Sequence, residues 1–205
     1  MEEALLILAG YVLGSMPWGY WLPRVLAGVD IREVGSGNTG AANVARALGF
    51  RMGVSVAALD LAKGCAAALL GIWLGGELVG AFAGIAAVIG HWRPLFMRFR
   101  RGGKIVATTG GVALALAPLA SLAAGGVWIG TFLVTRYTSV ASMLSAVTLP
   151  LLALVFGASW PVVALTGGAA VAIIILHRAN IARLLSRTEN RFELRRRPAR
   201  ARRPV

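Results

Sequence analysis

Apolar runs cover this chain almost end to end, and they leave it few folds to choose from. Segments near the ~20 residues that a helix needs to cross a bilayer fall at roughly 4–22, 53–74, 78–97, 105–121, 122–136, 139–157 and 160–177. The weakest division is Ala123-Ala124-Gly125-Gly126, between the fourth and fifth. Hydrophobic residues make up 58% of the 205, charged residues 14%, and mean hydropathy is +0.74. Such a balance excludes an ordinary soluble domain and predicts an all-α, polytopic membrane bundle of seven transmembrane helices. The single cysteine, Cys65, excludes an internal disulfide, and no Cys/His cluster points to a metal. Met1-Glu2-Glu3 lacks the positive n-region of a cleavable signal, so the first apolar run is expected to remain in the mature chain.

Charge orients the bundle. The 21 Lys+Arg against 8 Asp+Glu give a net +13. In a membrane protein that excess marks the cytoplasmic side and its anionic lipids rather than nucleic acid. With the N-terminus outside, the inner segments are 23–52, 98–104, the turn at Arg136 and everything after His177. Together with Arg93 they hold every basic residue except Lys63, whereas Glu2, Glu3 and Glu77 lie outside. The C-terminus is then cytoplasmic. Residues 1–194 read as one integral-membrane domain and 195–205 as a basic tail. Trp18, Trp21 and Trp92 fall near inner ends and Trp73, Trp128 and Trp160 near outer ends, as interface anchors do.

Polar residues then gather at the inner ends. Gly35-Ser36-Gly37-Asn38-Thr39-Gly40-Ala41-Ala42-Asn43 spells G-x-G-x-x-G, but no βαβ unit surrounds it, because Asp60 lies inside an apolar span. Read instead as an anion loop, it supplies donors at Ser36, Asn38, Thr39, Asn43 and Arg46, and a helix starting near Thr39 aims its dipole at the bound group. Gly102-Gly103-Lys104 offers close backbone approach and a mobile charge. Arg98 and Arg100 read as headgroup contacts. Ser139 and Ser142 share a helix face after Arg136, as do His177 and Asn180. His91 precedes the basic run. Asp60 and Lys63, three apart, read as a buried ion pair or as a support beneath the phosphate loop, since a lone carboxylate in a bilayer costs roughly 2.5–3.5 kcal/mol.

Taken in order, Ser36-Gly37-Asn38-Thr39-Gly40-Ala41-Ala42-Asn43, Asp60-Leu61-Ala62-Lys63-Gly64, Gly90-His91 with Pro94, Gly102-Gly103-Lys104, Arg136-Tyr137 with Ser139 and Ser142, and His177-Arg178-Ala179-Asn180-Ile181 resemble the bacterial acyl-phosphate:glycerol-3-phosphate acyltransferases. The resemblance spans roughly residues 10–190. It implies a seven-span enzyme of the bacterial cytoplasmic membrane, with its site facing the cytoplasm. The implied reaction moves a long-chain acyl group from acyl phosphate to the 1-hydroxyl of glycerol 3-phosphate, giving lysophosphatidic acid and phosphate. No cofactor, metal or obligate protein partner is implied. The implied catalytic residues are Lys104, Ser142, His177 and Asn180. Implied substrate-binding residues are Ser36, Gly37, Asn38, Thr39, Gly40, Asn43, Arg46, Gly102, Gly103 and Ser139, with Asp60, Lys63, His91 and Arg136 in support. The His-x4-Asp box of thioester-using acyltransferases is absent: Phe96 and Ala182 stand five residues after the two histidines. Against the family pattern, one residue is extra after Phe99, Ile105 replaces a glycine, and Ala42 stands where threonine is common. An isoleucine at a position that needs φ > 0 is strained. The competing class is a transporter of phosphate or a phosphate ester, but no internal repeat or midplane site supports it. A lipid-binding scaffold would explain the arginine tail and leave the glycine loops unexplained.

Overall fold

The computed structural model describes residues 1–192, and the basic tail expected at 195–205 lies outside the described residues. All regular elements among the described residues are helical: α1 (Glu2–Gly14), α2 (Trp18–Ala27), α3 (Ala41–Leu48), α4 (Phe50–Trp92), α5 (Val106–Leu116), α6 (Pro118–Thr135), α7 (Thr138–Val155), α8 (Trp160–Leu176) and α9 (Arg178–Leu185), with short 3₁₀ turns at Ile31–Glu33 and Leu95–Met97.

Glycine shapes α4. At Gly76 the backbone leaves helical geometry (φ 83°, ψ 178°), a region essentially reserved for glycine. Beyond it the chain folds back, so that a Cβ on Gly80 would lie 2.5 Å from Ile72 Cγ1 and 2.9 Å from the Ala68 carbonyl. α1 then docks on the returning half with no room for side chains between backbones. A Cβ on Gly14 would come 2.0 Å from the Ala87 carbonyl, and one on Gly90 would come 2.4 Å from that of Tyr11. Small residues are what membrane helices use for such contacts, because lipid supplies no hydrophobic drive between them. α5 packs on α4 in the same manner, through Gly64, Gly84 and Gly111. Farther along, Ala120, Ala124, Leu149, Ala153 and Val162 form a core shared by α6, α7 and α8.

Four helical stretches are long and apolar enough to cross a bilayer: Glu2–Ala27, Phe50–Met97, Pro118–Thr135 and Thr138–Val155. A fifth arises if Trp160–Leu176 is taken together with Arg178–Leu185, which is bent from it by 54°. Hydropathy alone had divided the chain differently. The boundary expected near Ala123–Gly126 falls at Ala117, where Pro118 opens α6; proline suits a first helical turn because its missing N–H has no partner there. Ala123-Ala124-Gly125-Gly126 therefore lies inside α6, and α5 is only 11 residues long. The first segment also breaks, at Ser15–Pro17.

Candidate active site

The end of the bundle opposite Gly76 collects the polar residues. The loop before α3 is organised by Asn43, which is 2% exposed. Its Nδ2 donates to the carbonyls of Val34 (2.9 Å), Asn38 (3.0 Å) and Ile31 (3.3 Å), while its Oδ1 accepts from the Ser36 N–H (3.1 Å). Gly35, at φ 61°, lies so close that a Cβ would reach within 2.5 Å of that oxygen. The Gly40 N–H donates to Asn38 Oδ1 (2.8 Å), and Asn38 Nδ2 donates to the Gly102 carbonyl (3.3 Å), joining the two glycine-rich loops. Ser36 and Gly37 are exposed at the tip, whereas Thr39 is buried with its carbonyl against Gly19. Asn43, expected to meet ligand, thus has its side-chain amide engaged by the loop's own backbone.

Lys104 stands at the entrance to α5. Its ammonium donates to Asn180 Oδ1 on α9. Burial lowers its pKa to about 8, with Arg183, Arg101 and Arg46 pushing in the same direction and Glu189 opposing them. The next residue, Ile105, caps α5 at φ 62° and is 3% exposed. The glycine-like conformation is therefore taken by a β-branched residue, at a cost of roughly 1–2 kcal/mol. The packing of Ile105 with Ala146, Ala170, Ile173 and Leu176 offsets it.

Glu189 was not singled out from the sequence, yet it ties the site together. It accepts from Asn180 Nδ2 (2.6 Å) and Ser139 Oγ (2.8 Å) at one oxygen and from Arg183 Nε (2.7 Å) at the other. Burial raises its pKa, but these three hydrogen bonds outweigh that and hold it below the usual carboxylate range. Phe192 anchors this segment: its N–H donates to the Arg136 carbonyl (2.8 Å), and its ring meets Phe132 and Phe50. Arg136 itself sits in the left-handed region, φ 62°, at the α6–α7 turn. The available signal was an acid standing alone among Arg178, Arg183, Arg187 and Arg191.

Ser142 accepts from the Trp128 indole N–H (3.1 Å), and Trp128 stacks on Phe132. Trp128 is thus a bundle residue within α6 rather than the outer-interface anchor expected from its spacing. His177 is 3% exposed, and its Nδ1 lies 2.8 Å from the Ile173 carbonyl. A carbonyl can only accept, so Nδ1 carries the proton and Nε2 is the acceptor of the neutral ring. Arg46, half-buried on α3, lies within electrostatic reach of Glu189 and Arg183. Arg98 is exposed.

Beneath the Gly102-Gly103 loop, Asp60 pairs with Lys63 (2.8 Å), and Lys63 also donates to the Met16 carbonyl (2.7 Å). His91 Nδ1 lies 3.4 Å from the same Asp60 oxygen. The expected ion pair is present with the histidine as a third member, and all three are at most 7% exposed.

Arg46, Arg101 and Arg183 all lie within electrostatic reach of the half-buried Lys104, and such a gathering of cations suits phosphate, which guanidinium and ammonium groups bind through charge-assisted hydrogen bonds. Fold and site together define an integral-membrane protein built to hold a phosphorylated molecule at one end of its bundle. The comparisons give the family. The profile described as glycerol-3-phosphate acyltransferase matches residues 4–187. A glycerol-3-phosphate acyltransferase of Synechococcus sp. (strain JA-3-3Ab) is 44% identical over 94% of each chain. That of Aquifex aeolicus is 42% identical over 94% of this chain and all of its own. Among solved structures, PlsY, an integral membrane glycerol 3-phosphate acyltransferase, superposes in its glycerol 3-phosphate form with a TM-score of 0.89, 42% identity, and 94% and 96% coverage. Its lysophosphatidic acid form gives 0.87 at 40% identity. The chain belongs to the glycerol-3-phosphate acyltransferase family.

Proposed function

We propose that this chain transfers a fatty acyl group from a long-chain acyl phosphate to the 1-hydroxyl of glycerol 3-phosphate, releasing phosphate and lysophosphatidic acid for phospholipid synthesis. The observation that carries this reading is the Lys104–Asn180 contact within reach of Arg46, Arg101 and Arg183, inside a family whose solved member is described in a glycerol 3-phosphate form. Lys104 and Arg46 bind phosphate, and the two glycine loops, joined by Asn38 and Gly102, form the wall beside it. Ser142 is held by Trp128 with its hydroxyl hydrogen available for a substrate oxygen.

The chemistry asks for positioning more than for activation, because an acyl phosphate already carries a good leaving group. The hydroxyl oxygen attacks the acyl carbonyl, the C–O bond to phosphate breaks, and the hydroxyl proton leaves with the departing phosphate. His177 Nε2 accepts the hydrogen bond of that hydroxyl and orients it. Its Nδ1 faces a backbone carbonyl rather than a carboxylate, so it lacks the anionic partner that stabilises an imidazolium in a triad.

Seven crossings fit this reading, with α1–α2 as one, the two halves of α4 as two, and α5, α6, α7 and α8 as one each. The N-terminus lies outside and the site opens to the cytoplasm of a bacterial cell, where glycerol 3-phosphate is soluble and the basic residues meet anionic lipid. Purified protein supplied with acyl phosphate should release phosphate only when glycerol 3-phosphate is present. Lys104→Ala should lower turnover at least tenfold more than Arg98→Ala, whose exposed side chain makes a headgroup contact worth about 1 kcal/mol. Equal losses would remove Lys104 from the site.

A further inference from the structure

The Gly102-Gly103 pair is a place where glycine is needed for its lack of a side chain rather than for its conformational freedom. Neither residue lies at positive φ, so an L-residue could adopt either backbone. What excludes a side chain is His91. A Cβ on Gly102 would fall 2.1 Å from the His91 carbonyl oxygen, and one on Gly103 would fall 2.1 Å from His91 Nε2 and 2.8 Å from its Cε1. The loop is also stitched to the same turn of chain by the Gly102 N–H, which donates to the Trp92 carbonyl (2.9 Å). The imidazole beneath it does not rotate freely. Its Nδ1 edge faces Asp60 at 3.4 Å, and Asp60 is pinned by Lys63, which is itself tied to the Met16 carbonyl after α1.

We propose that His91 is a positioning residue: its ring is the seat on which Gly103 rests, and it sets the height at which Lys104 enters the phosphate pocket. The proposal rests on Lys104 contacting the substrate phosphate. It assigns the Asp60–Lys63–His91 cluster a task beyond neutralising a buried carboxylate. Through it, one rigid column runs from the turn after α1, across both halves of α4, to the backbone immediately before Lys104. A ring held from one side and covered by glycine on the other transmits position, because packed protein interiors yield little to small displacements.

The test is compensation between positions 91 and 103. Gly103→Ala, which places a methyl 2.1 Å from Nε2, should raise KM for glycerol 3-phosphate about tenfold or more. His91→Asn keeps an amide near the Nδ1 position, facing Asp60, and removes the Nε2–Cε1 edge. Alone it should raise that KM severalfold and leave kcat at saturating substrate within about twofold, since no reacting atom is touched. Combined, His91→Asn/Gly103→Ala should show a KM well below that of Gly103→Ala, because the space the methyl needs has been vacated. A double variant as impaired as the product of the two single losses would overturn the proposal. If Gly103→Ala does not fold, recovery of folded protein in the double variant supports the proposal, and continued failure refutes it. Lys104→Ala, measured alongside, separates the two layers. An unchanged KM there removes the role given to Lys104, while the 91–103 compensation remains readable in the melting temperatures.

Discussion

Given the role proposed for it, Lys104 should make the pH dependence of this enzyme an alkaline one. Its pKa of about 8 lies below the ordinary lysine value because burial penalises the ammonium and three arginines repel it. The sign follows directly. The charged form, to which the proposal assigns phosphate binding, is present below that pKa and lost above it. Roughly 90% of free enzyme carries the charge at pH 7 and roughly 10% at pH 9, so kcat/KM for glycerol 3-phosphate should fall about tenfold across that interval. A phosphate monoester, with its second pKa near about 6, stays a dianion throughout, and the change belongs to the protein. Bound substrate restores the charge, so kcat under saturation should vary far less. The assay is initial-rate phosphate release at several glycerol 3-phosphate concentrations between pH 6.5 and about 9.5, with non-enzymatic acyl phosphate hydrolysis subtracted. Lys104→Arg, whose guanidinium remains protonated, should lose the limb even where its absolute rate is lower. A limb of the same position in Lys104→Arg, or none in the parent, would refute the assignment.

Three further outcomes follow from the packing. Glu189→Gln removes the charge from three hydrogen bonds, each worth about 1.5–3 kcal/mol to a charged acceptor; the melting temperature in detergent should fall by about 5 °C or more, and an unchanged value would show the segment to be loosely held. Ile105→Gly and Ile105→Ala both empty a buried site, but only alanine keeps the left-handed strain. The glycine variant should therefore melt higher, by about 1 kcal/mol in stability, and the reverse order would show that the backbone there is unstrained. A cysteine at Glu77 should be labelled by an impermeant reagent from the outside while one in the C-terminal segment is not; labelling of both from one side would sink the seven-pass arrangement.

The sequence marked a polar cluster because polar residues in an apolar chain have few places to go, and the glycine loops interrupt the hydropathy at the end of the bundle where the structure joins Lys104, Asn180, Ser139 and Glu189. Helix boundaries were less legible. Ala123-Ala124-Gly125-Gly126 reads as a gap on a hydropathy scale, but small residues are good packing surfaces inside a membrane helix, and the real break at Ala117–Pro118 lies in uniformly apolar sequence. Trp128 was misplaced for a related reason: spacing along a run gives depth, not facing, and only the packing of α6 on α7 brings its N–H to Ser142. Glu189 was hidden because its one local mark, an acid standing among arginines, does not say which groups it joins. Its partners Ser139, Asn180 and Arg183 come from other elements. Ile105 shows the opposite case, where a residue unsuited to its backbone was visible in sequence and the structure confirms the mismatch.

The clamp formed by Glu189 and Phe192 bears on how the protein is made. Arg46, Lys104, Ser139, Asn180 and Arg183 leave the ribosome in that order, and the carboxylate that hydrogen-bonds Ser139, Asn180 and Arg183 and offsets the charge of Arg46 and Lys104 leaves after all of them. Until then the helices around the pocket carry mutually repelling charge, with Ser139, Asn180 and Arg183 lacking their common acceptor. The Glu189 network therefore cannot form before α9 and the segment after it have been made, and a nascent chain halted before Glu189 lacks the carboxylate that joins Ser139, Asn180 and Arg183.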